Sequence, residues 1–324
     1  MVNIIYNCSL TDNSGYGEAG RNEVKALLAA GLNPILEITN HSDKKYTPNI
    51  VEICSKNKLD PNKKTIKVIR QTADLYNKGT ENYTIGCSVW ETDRLPVKWV
   101  ERCNKLDEIW LATKWNEEVY RKSGVTVPIY IFPHCLDIDE IKTANPNLII
   151  REQLKDKFIF LSVFQWTPRK AWDILLSAYF GEFKNNKDVA LIIKTFQVWS
   201  KNEKNEILND IEQLKKKFDY SEDNFPTLHM LIGNLNRKEV LDLFKTSNAY
   251  ITTSRGEGWN IPAMEAMACS LPVIATKWSA HTEFMNDSNA FLVNCELETA
   301  YPSHMQDNYL TEQVWKDQTI ISAI

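Results

Sequence analysis

Two glutamates with seven residues between them bracket a glycine-containing segment in the second half of the chain. Glu257 follows Gly256, and Glu265 falls about one turn after Pro262, a residue suited to the first turn of a helix. Gly256 and Gly258 allow unusual backbone angles and a close approach to a ligand. A helix that begins after such a loop offers free backbone N–H groups and a positive dipole end to an anion such as phosphate. Carboxylates beside an anion site need another role, and accepting hydrogen bonds from sugar hydroxyls is one.

The elements around this segment are predicted to be a strand, a loop and a helix. The β-branched run at 249–253 indicates a buried parallel strand, and small alanines let the following helix pack closely. A simpler interpretation is that Glu265 complements the helix dipole and Glu257 is solvated. The sequence alone leaves this alternative open.

The segment resembles the E-x7-E signature of retaining glycosyltransferases of family 4, and the similarity continues through the loop and strand at 270–276. The resemblance implies an α/β protein with the GT-B fold, in which two Rossmann-like domains with parallel sheets face each other across a cleft. It implies a hexosyltransferase that moves a sugar from a nucleotide-sugar donor to a glycan, lipid-linked glycan or protein acceptor. Transfer would retain the anomeric configuration and need neither a divalent metal nor another cofactor.

The resemblance also implies roles for residues of this chain. Glu257 is expected to contact the donor sugar near its reacting carbon, Glu265 to hold the ribose, and Lys170 with Arg169 to neutralise the diphosphate. Because Arg169 precedes Lys170 in the loop, we expect Arg169 to point to solvent and Lys170 to neutralise an unusual share of that charge. The other donor-binding residues implied are Gly17, Gly233, Asn234, Gly258, Trp259, Asn260 and Ile261.

The sequence departs from the family pattern near this cation pair and at the end of the chain. Many members have an arginine six residues before the lysine, where this chain has Phe164. The chain also stops at Ile324, soon after a helix predicted at 307–315. These departures keep a second hypothesis open, a non-catalytic nucleotide-sugar-binding or scaffold protein with the same fold.

The composition is typical of a globular protein large enough for two domains. The chain has 324 residues, of which 43% are hydrophobic and 25% charged. A net charge of −4 argues against nucleic-acid binding. The first residues do not form a signal sequence, no run reaches the ~20 apolar residues of a membrane span, and seven scattered cysteines indicate reduced thiols. We therefore predict a cytoplasmic protein, and leave peripheral association with a membrane open.

Alternating short strands and helices occur in two successive series. This alternation predicts an N-terminal, acceptor-side domain at 1–145 and a C-terminal nucleotide-sugar-binding domain at 146–324. Asp137 and Asp139 form a D-x-D near the boundary, but their position after a Phe-Pro-His stretch favours a capping and linker role. We therefore predict no metal site.

A glycine pattern near the start raises a third hypothesis. Gly15, Gly17 and Gly20 spell G-x-G-x-x-G after a predicted strand, as in NAD-dependent oxidoreductases. The polar segment 9–14 separates strand and glycines, whereas the dinucleotide fingerprint has a tight turn there. The family 4 resemblance instead implies a glycine-rich loop at this place.

Overall fold

The computed structural model describes residues 2–12, 14–39, 49–197, 202–218, 225–299 and 319–323. The chain divides into two compact units. The first unit comprises Met1–Asp137 with Glu257–Ile261, and the second comprises Ile138–Gly256 with Pro262–Ile324. The chain first passes from the first unit to the second after Asp137.

The first unit contains a six-stranded parallel sheet with the order β2-β1-β3-β4-β5-β6. Apolar side chains from the sheet and the first helices form its core. Its strands are β1 (Asn3–Cys8), β2 (Ile35–Ile38), β3 (Thr65–Arg70), β4 (Tyr83–Ser88), β5 (Glu108–Leu111) and β6 (Ile129–Ile131). Its helices are α1 (Gly15–Ala29), α2 (Asn49–Cys54), α3 (Val97–Cys103) and α4 (Lys114–Ser123).

The second unit repeats this architecture with a second six-stranded parallel sheet, in the order β12-β11-β10-β7-β8-β9. Its strands are β7 (Phe158–Gln165), β8 (Val189–Phe196), β9 (Thr227–Ile232), β10 (Ala249–Thr252), β11 (Val273–Thr276) and β12 (Phe291–Val293). Its helices are α5 (Ile138–Lys142), α6 (Leu148–Gln153), α7 (Trp172–Glu182), α8 (Glu203–Lys215), α9 (Arg237–Thr246), α10 (Ile261–Ala268) and α11 (His281–Phe284). An antiparallel pair follows, β13 (Glu296–Thr299) with β14 (Thr319–Ala323).

Both sheets have a point where the strand order reverses. In the first sheet β2 and β3 lie on opposite sides of β1, and in the second sheet β8 and β10 lie on opposite sides of β7. Loops at the carboxyl ends of the strands diverge there and leave a crevice in which α/β proteins bind ligands. In the second unit, the loops after β7 and β10 therefore flank the expected ligand position, and these loops carry Lys170 and the start of the E-x7-E segment.

The two Rossmann-like parallel sheets predicted from the alternation are confirmed. The short helices α5, α6 and α11 and the strands from β12 onward were not predicted, because each is too brief to show a periodic pattern. The helix predicted at 307–315 lies outside the described residues. In the part of the chain that the structure describes, no helix is both long and apolar enough to cross a membrane. All seven cysteines are free thiols, five of them buried.

Candidate functional site

In the second unit, the loops after β7 and β10 are tied to each other by hydrogen bonds. Arg169 Nη1 donates to the carbonyl of Gly256 at 2.9 Å, and the backbone N–H of Arg255 donates to the carbonyl of Arg169 at 2.8 Å. Thr253 Oγ1 donates to the carbonyl of Ala171 at 3.0 Å. Arg169 is buried, so the expectation that it points to solvent is wrong. Its guanidinium stabilises the loop that leads to Glu257.

The turn around Lys170 ends in a residue with left-handed backbone angles. Residues 168–170 form a single 3-10 turn, and Ala171 follows with φ 50° and ψ 44°, in the left-handed region. Glycine adopts this region at no steric cost, whereas alanine is strained there. Lys170 is half-buried and lies two residues before the start of α7.

Glu265 is buried inside the second unit and forms an ion pair. Only 2% of its side chain is exposed, and Arg237 Nη1 donates a hydrogen bond to its Oε1. Arg237 is the first residue of α9, and its Nε also lies 3.6 Å from Glu140. The interpretation of Glu265 as a carboxylate that only complements a helix dipole therefore does not fit. Sequence reasoning missed Arg237, although its place just after the loop of Gly233 and Asn234 is a usable signal.

That loop begins with a residue that only glycine suits well. Gly233 has φ +104°, and its N–H donates to the carbonyl of Thr195 at 3.0 Å. Asn234 is exposed. The Asn236 side chain accepts a hydrogen bond from the backbone N–H of Glu239, as part of the capping box that starts α9. The loop is therefore held at both ends while its middle stays accessible.

Lys194 is a second residue that the sequence reasoning missed. It interrupts the apolar run of β8, only 5% of it is exposed, and its Nζ lies 4.7 Å from the centroid of the Phe196 ring. Burial lowers the pKa of Lys194 to about 8, and the charge of Glu203 opposes that shift. Lys194 pairs in register with Val163 of β7 near the carboxyl ends of both strands. A charged residue within a buried strand is itself a signal of a site.

In the first unit, the segment Glu257–Ile261 is buried and closely packed. A Cβ on Gly258 would lie 2.4 Å from Val89 Cβ and 3.3 Å from the backbone N of Trp90, so no side chain fits there. Glu257 is 5% exposed, which excludes a solvated carboxylate, and Asn260 has φ +81°. Close packing against Val89 and Trp90, rather than an unusual backbone angle, is the reason for glycine at 258.

A buried ionic cluster lies at the reversal point of the first sheet. Arg70 Nε lies 2.7 Å from Glu23 Oε2, His134 Nδ1 lies 3.3 Å from Glu23 Oε1, and Tyr6 donates its hydroxyl hydrogen to Glu23. The His134 ring lies 5.5 Å from the ring of Trp259. The cluster therefore supports the segment that carries Trp259.

The charges of this cluster set the pKa values of its members. Burial alone would raise the pKa of Glu23, but the Arg70 guanidinium and the hydrogen bond with His134 outweigh it and lower this pKa to about 2. Burial and then the positive charge of Arg70 lower the pKa of His134, against the opposing effect of Glu23. Glu23 is thus a carboxylate and His134 a neutral imidazole at neutral pH.

The glycines near the start do not form a loop. Gly17 and Gly20 lie inside α1, and the N–H of Gly17 donates to Ser14 Oγ at 3.1 Å, which caps the helix. A Cβ atom on Gly17 would lie 2.5 Å from the Asp12 carbonyl oxygen, and one on Gly20 would lie 2.7 Å from the Ser9 carbonyl oxygen. These glycines let α1 approach the segment after β1, so the structure gives no tight phosphate-binding turn of the dinucleotide type.

The D-x-D aspartates have separate ion pairs. Asp137 Oδ2 lies 2.9 Å from Lys25 Nζ in the first unit, and Asp139 Oδ1 lies 2.9 Å from Lys142 Nζ in the second. Among the described residues, no group of three or more His, Cys, Asp or Glu side chains could hold a metal ion.

Phe164 belongs to an aromatic row. Its ring stacks on Trp166 at 5.9 Å, and Trp166 stacks on Trp172 at 4.6 Å. The row packs against the core of the second unit. An arginine at 164 would therefore place a charge among aromatic rings.

Comparisons with known proteins agree with this architecture. Residues 148–306 match the family model described as Glycosyl transferases group 1. Uncharacterized protein 356 of Sulfolobus islandicus rod-shaped virus 1 is 24% identical over 232 residues, which cover 68% of this chain and 59% of that protein. The serotype-specific mannosyltransferase WbdA of Escherichia coli is 30% identical over 115 residues, which cover 36% of this chain and 13% of that protein. The chain thus spans less than two thirds of the length of these relatives.

A solved structure shows that the likeness extends over both units. HepE of Anabaena, in complex with UDP-glucose, superimposes with a TM-score of 0.64 and 11% identity, over 91% of this chain and 86% of that chain. At this identity the likeness establishes the fold. The predicted GT-B fold is confirmed, and residues 148–306 of this chain are similar to the group 1 glycosyl transferases.

Proposed function

We propose that the chain transfers a hexose from a nucleotide sugar to an acceptor, with retention of configuration and without a metal ion. The observation that carries this proposal is the E-x7-E segment at the reversal point of the second sheet. Glu265, the second glutamate of the segment, is buried in an ion pair with Arg237. The loop that precedes Glu257 is hydrogen-bonded to the turn that carries Lys170. A site for a nucleotide sugar needs a group that accepts hydrogen bonds from the ribose hydroxyls. It also needs a cation that stabilises the negative charge of the departing diphosphate.

In this proposal different residues bind the ribose, the diphosphate, the base and the sugar of the donor. Glu265, fixed by Arg237, accepts hydrogen bonds from the ribose hydroxyls. Lys170 and the amides at Asn260 and Ile261 bind the diphosphate, and the loop that starts at Gly233 lies beside the base. Glu257 contacts the donor sugar. Arg169 acts as a positioning residue through its hydrogen bond to Gly256.

Metal independence rests on the charge available from the protein. A lysine and a helix N-terminus can stabilise the negative charge that develops on a departing diphosphate. The departing phosphate can also take the proton of the acceptor hydroxyl, so the proposal assigns no protein base. Most of the catalytic effect would come from positioning and charge stabilisation.

The donor is proposed to be a nucleotide sugar, in line with the UDP-glucose bound by HepE of Anabaena. The acceptor is proposed to be a glycan, a lipid-linked glycan or a protein, handled in the cytoplasm. The experiment below identifies the base and the sugar of the donor.

The test begins with a thermal-shift screen of UDP-, GDP- and ADP-sugars, since a ligand that binds the native state raises its stability. The best donor is then incubated alone and with EDTA, and free nucleotide diphosphate is measured. We expect slow hydrolysis that EDTA does not change. Loss of turnover with EDTA and recovery with Mg²⁺ or Mn²⁺ would reject metal independence.

The same experiment separates the other hypotheses. Binding of a donor without hydrolysis, in a mixture that also contains candidate acceptors, would favour the non-catalytic sugar-nucleotide-binding protein. A titration with NAD tests the oxidoreductase hypothesis, and the placement of Gly17 and Gly20 inside α1 predicts no binding.

A further inference from the structure

The second unit contains a cavity that the proposed donor site does not use. Its volume is about 360 Å³, at the small end of the ~300–1,000 Å³ range of small-molecule sites. It lies between the start of α7, one side of α8 and the loop after β10. Six of its lining residues carry polar or aromatic groups: Trp172, Asp173, Asp210, Gln213, Lys217 and Arg255.

The charges of this lining exclude simple ionic ligands. Asp173 and Asp210 balance Lys217 and Arg255, and Arg255 Nη2 lies 3.5 Å from Asp173 Oδ2. A phosphate would meet two carboxylates, and a bare cation would meet two positive side chains. The lining instead presents hydrogen-bond donors and acceptors around a neutral centre, as a polyhydroxylated ligand requires.

The aromatic part of the lining is rigid. Trp172 stacks on Trp166 with an angle of 18° between the rings, so one face of its indole is covered. The ring edge or the other face is therefore what lines the cavity. Trp166 Nε1 donates a hydrogen bond to Asp210 Oδ2 at 2.9 Å. This hydrogen bond fixes the orientation of the Asp210 carboxylate. A fixed indole beside fixed hydrogen-bonding groups is suited to a sugar ring, whose C–H bonds pack on the negative face of the π system while its hydroxyls form hydrogen bonds.

From these observations we infer that the cavity is a saccharide-binding subsite, separate from the donor site, for one or two neutral sugar units. Gln213, on the exposed side of α8, and Lys217, two residues past the end of α8, bind hydroxyl groups at the rim of the cavity. Asp210 and Arg255 bind them from inside, and Trp172 packs against the ring. The inference holds whether or not the chain transfers sugar, because none of these six side chains has a role in the proposed transfer.

The test uses saturation-transfer-difference NMR with the full chain and three neutral probes: maltotriose, cellotriose and α-1,3-mannotriose. At least one is expected to receive saturation on its ring protons, and an excess of UDP, GDP or ADP should not displace it. The double variant Gln213→Ala/Lys217→Ala should bind this probe roughly tenfold more weakly, as expected for the loss of two net hydrogen bonds. These exposed side chains are chosen because their removal leaves the core intact.

The matched control is Asn209→Ala/Lys216→Ala, which removes an amide and an ammonium from exposed positions at or beside α8 that do not line the cavity. It should bind the probe like the parent. Absence of binding by all three probes, displacement by a nucleotide, or an equal loss in both double variants would each overturn the inference. Donor hydrolysis is measured separately, so failure of the subsite and failure of the proposed transferase are distinguishable.

Discussion

The two glutamates of the E-x7-E segment differ in their surroundings, and this difference has measurable consequences at the scale of single residues. Glu265 is held in a buried ion pair by Arg237, whereas Glu257 lies eight residues earlier in a segment that belongs to the first unit. A carboxylate fixed by an ion pair presents its remaining oxygen in a constant orientation. Under the proposed function, Glu265 serves binding and Glu257 serves turnover.

We expect Glu265→Ala to weaken binding of the nucleotide diphosphate and to lower the free energy of unfolding by about 3 kcal/mol, because Arg237 loses its buried partner. Glu257→Ala should mainly lower turnover. Titration calorimetry, thermal unfolding and donor hydrolysis of both variants measure these effects. Adding Arg237→Ala to Glu265→Ala should recover part of the stability but none of the affinity. Equal losses of affinity in the two single variants would contradict the division of roles.

Replacement of Lys170 and replacement of Arg169, the two neighbouring cations in the turn after β7, are expected to have different effects. Lys170→Met should lower turnover by ~10²–10³-fold, the effect of losing one preorganised charge-stabilising group, with little change in Tm. Arg169→Met should lower Tm as well as turnover, because the buried carbonyl of Gly256 loses its donor, at a cost of about 1–3 kcal/mol. Steady-state kinetics and thermal unfolding on both variants decide this. A Lys170→Met protein within a few-fold of the parent would show that the diphosphate is bound elsewhere.

At the scale of elements, the position of the segment after β10 depends on how closely it packs. Gly258 approaches Val89 so closely that an added methyl group must displace the backbone. The loops after β7 and β10 are in turn joined by hydrogen bonds. The local geometry is thus determined by packing against distant parts of the chain and not by the loop's own sequence.

We predict that Gly258→Ala destabilises the protein by ~1–3 kcal/mol, the usual cost of overpacking, and lowers turnover because Glu257 and Trp259 shift with the backbone. Gly181→Ala is the matched control, since Gly181 lies in α7 with open space where its Cβ would stand. Alanine there should be neutral or stabilise the helix by ~0.5–1 kcal/mol. Thermal unfolding and donor hydrolysis are measured on both. A Gly258→Ala protein as stable and active as the control would refute the packing argument.

At the scale of the whole molecule, the buried cluster of the first unit links stability to pH. Glu23 has a pKa lowered to about 2 and His134 a lowered pKa, so the folded chain resists protonation at both sites. The unfolded chain takes up a proton on histidine below about pH 6.5 and on glutamate below about pH 4.3. Stability is therefore fully present above these unfolded values and is lost as the pH falls through them toward the folded values.

We expect Tm to decrease from pH 7 to pH 5, and more steeply below pH 4.5. His134→Gln should lower Tm at pH 8 but flatten its decrease between pH 7 and pH 5, because the residue that unfolding protonates is gone. Burial also lowers the pKa of His229, so this residue contributes to the same decrease in Tm. His229→Gln is therefore the control for a histidine outside the cluster. An unchanged slope in His134→Gln would show that His134 has the same pKa in the folded and the unfolded chain.

The amino-acid sequence by itself determined the features that depend on neighbours along the chain. Alternating apolar runs and helix signals are short-range patterns, and they predicted the two parallel sheets and the strand, loop and helix around Glu257 and Glu265. Pro262 and the alanines after it located α10 to within a residue. The spacing of the two glutamates is itself a local property, so the resemblance to family 4 could be drawn from it.

Only the tertiary structure decided which distant residues meet. Arg237 and Glu265 are 28 positions apart, and Trp166 and Asp210 are 44 apart. Arg169 is buried because a carbonyl 87 residues later accepts its hydrogen bond. Such pairs follow from strand order, register and helix packing, which no short window of sequence contains. The partners of a charged side chain therefore become known only when the sheets are assembled.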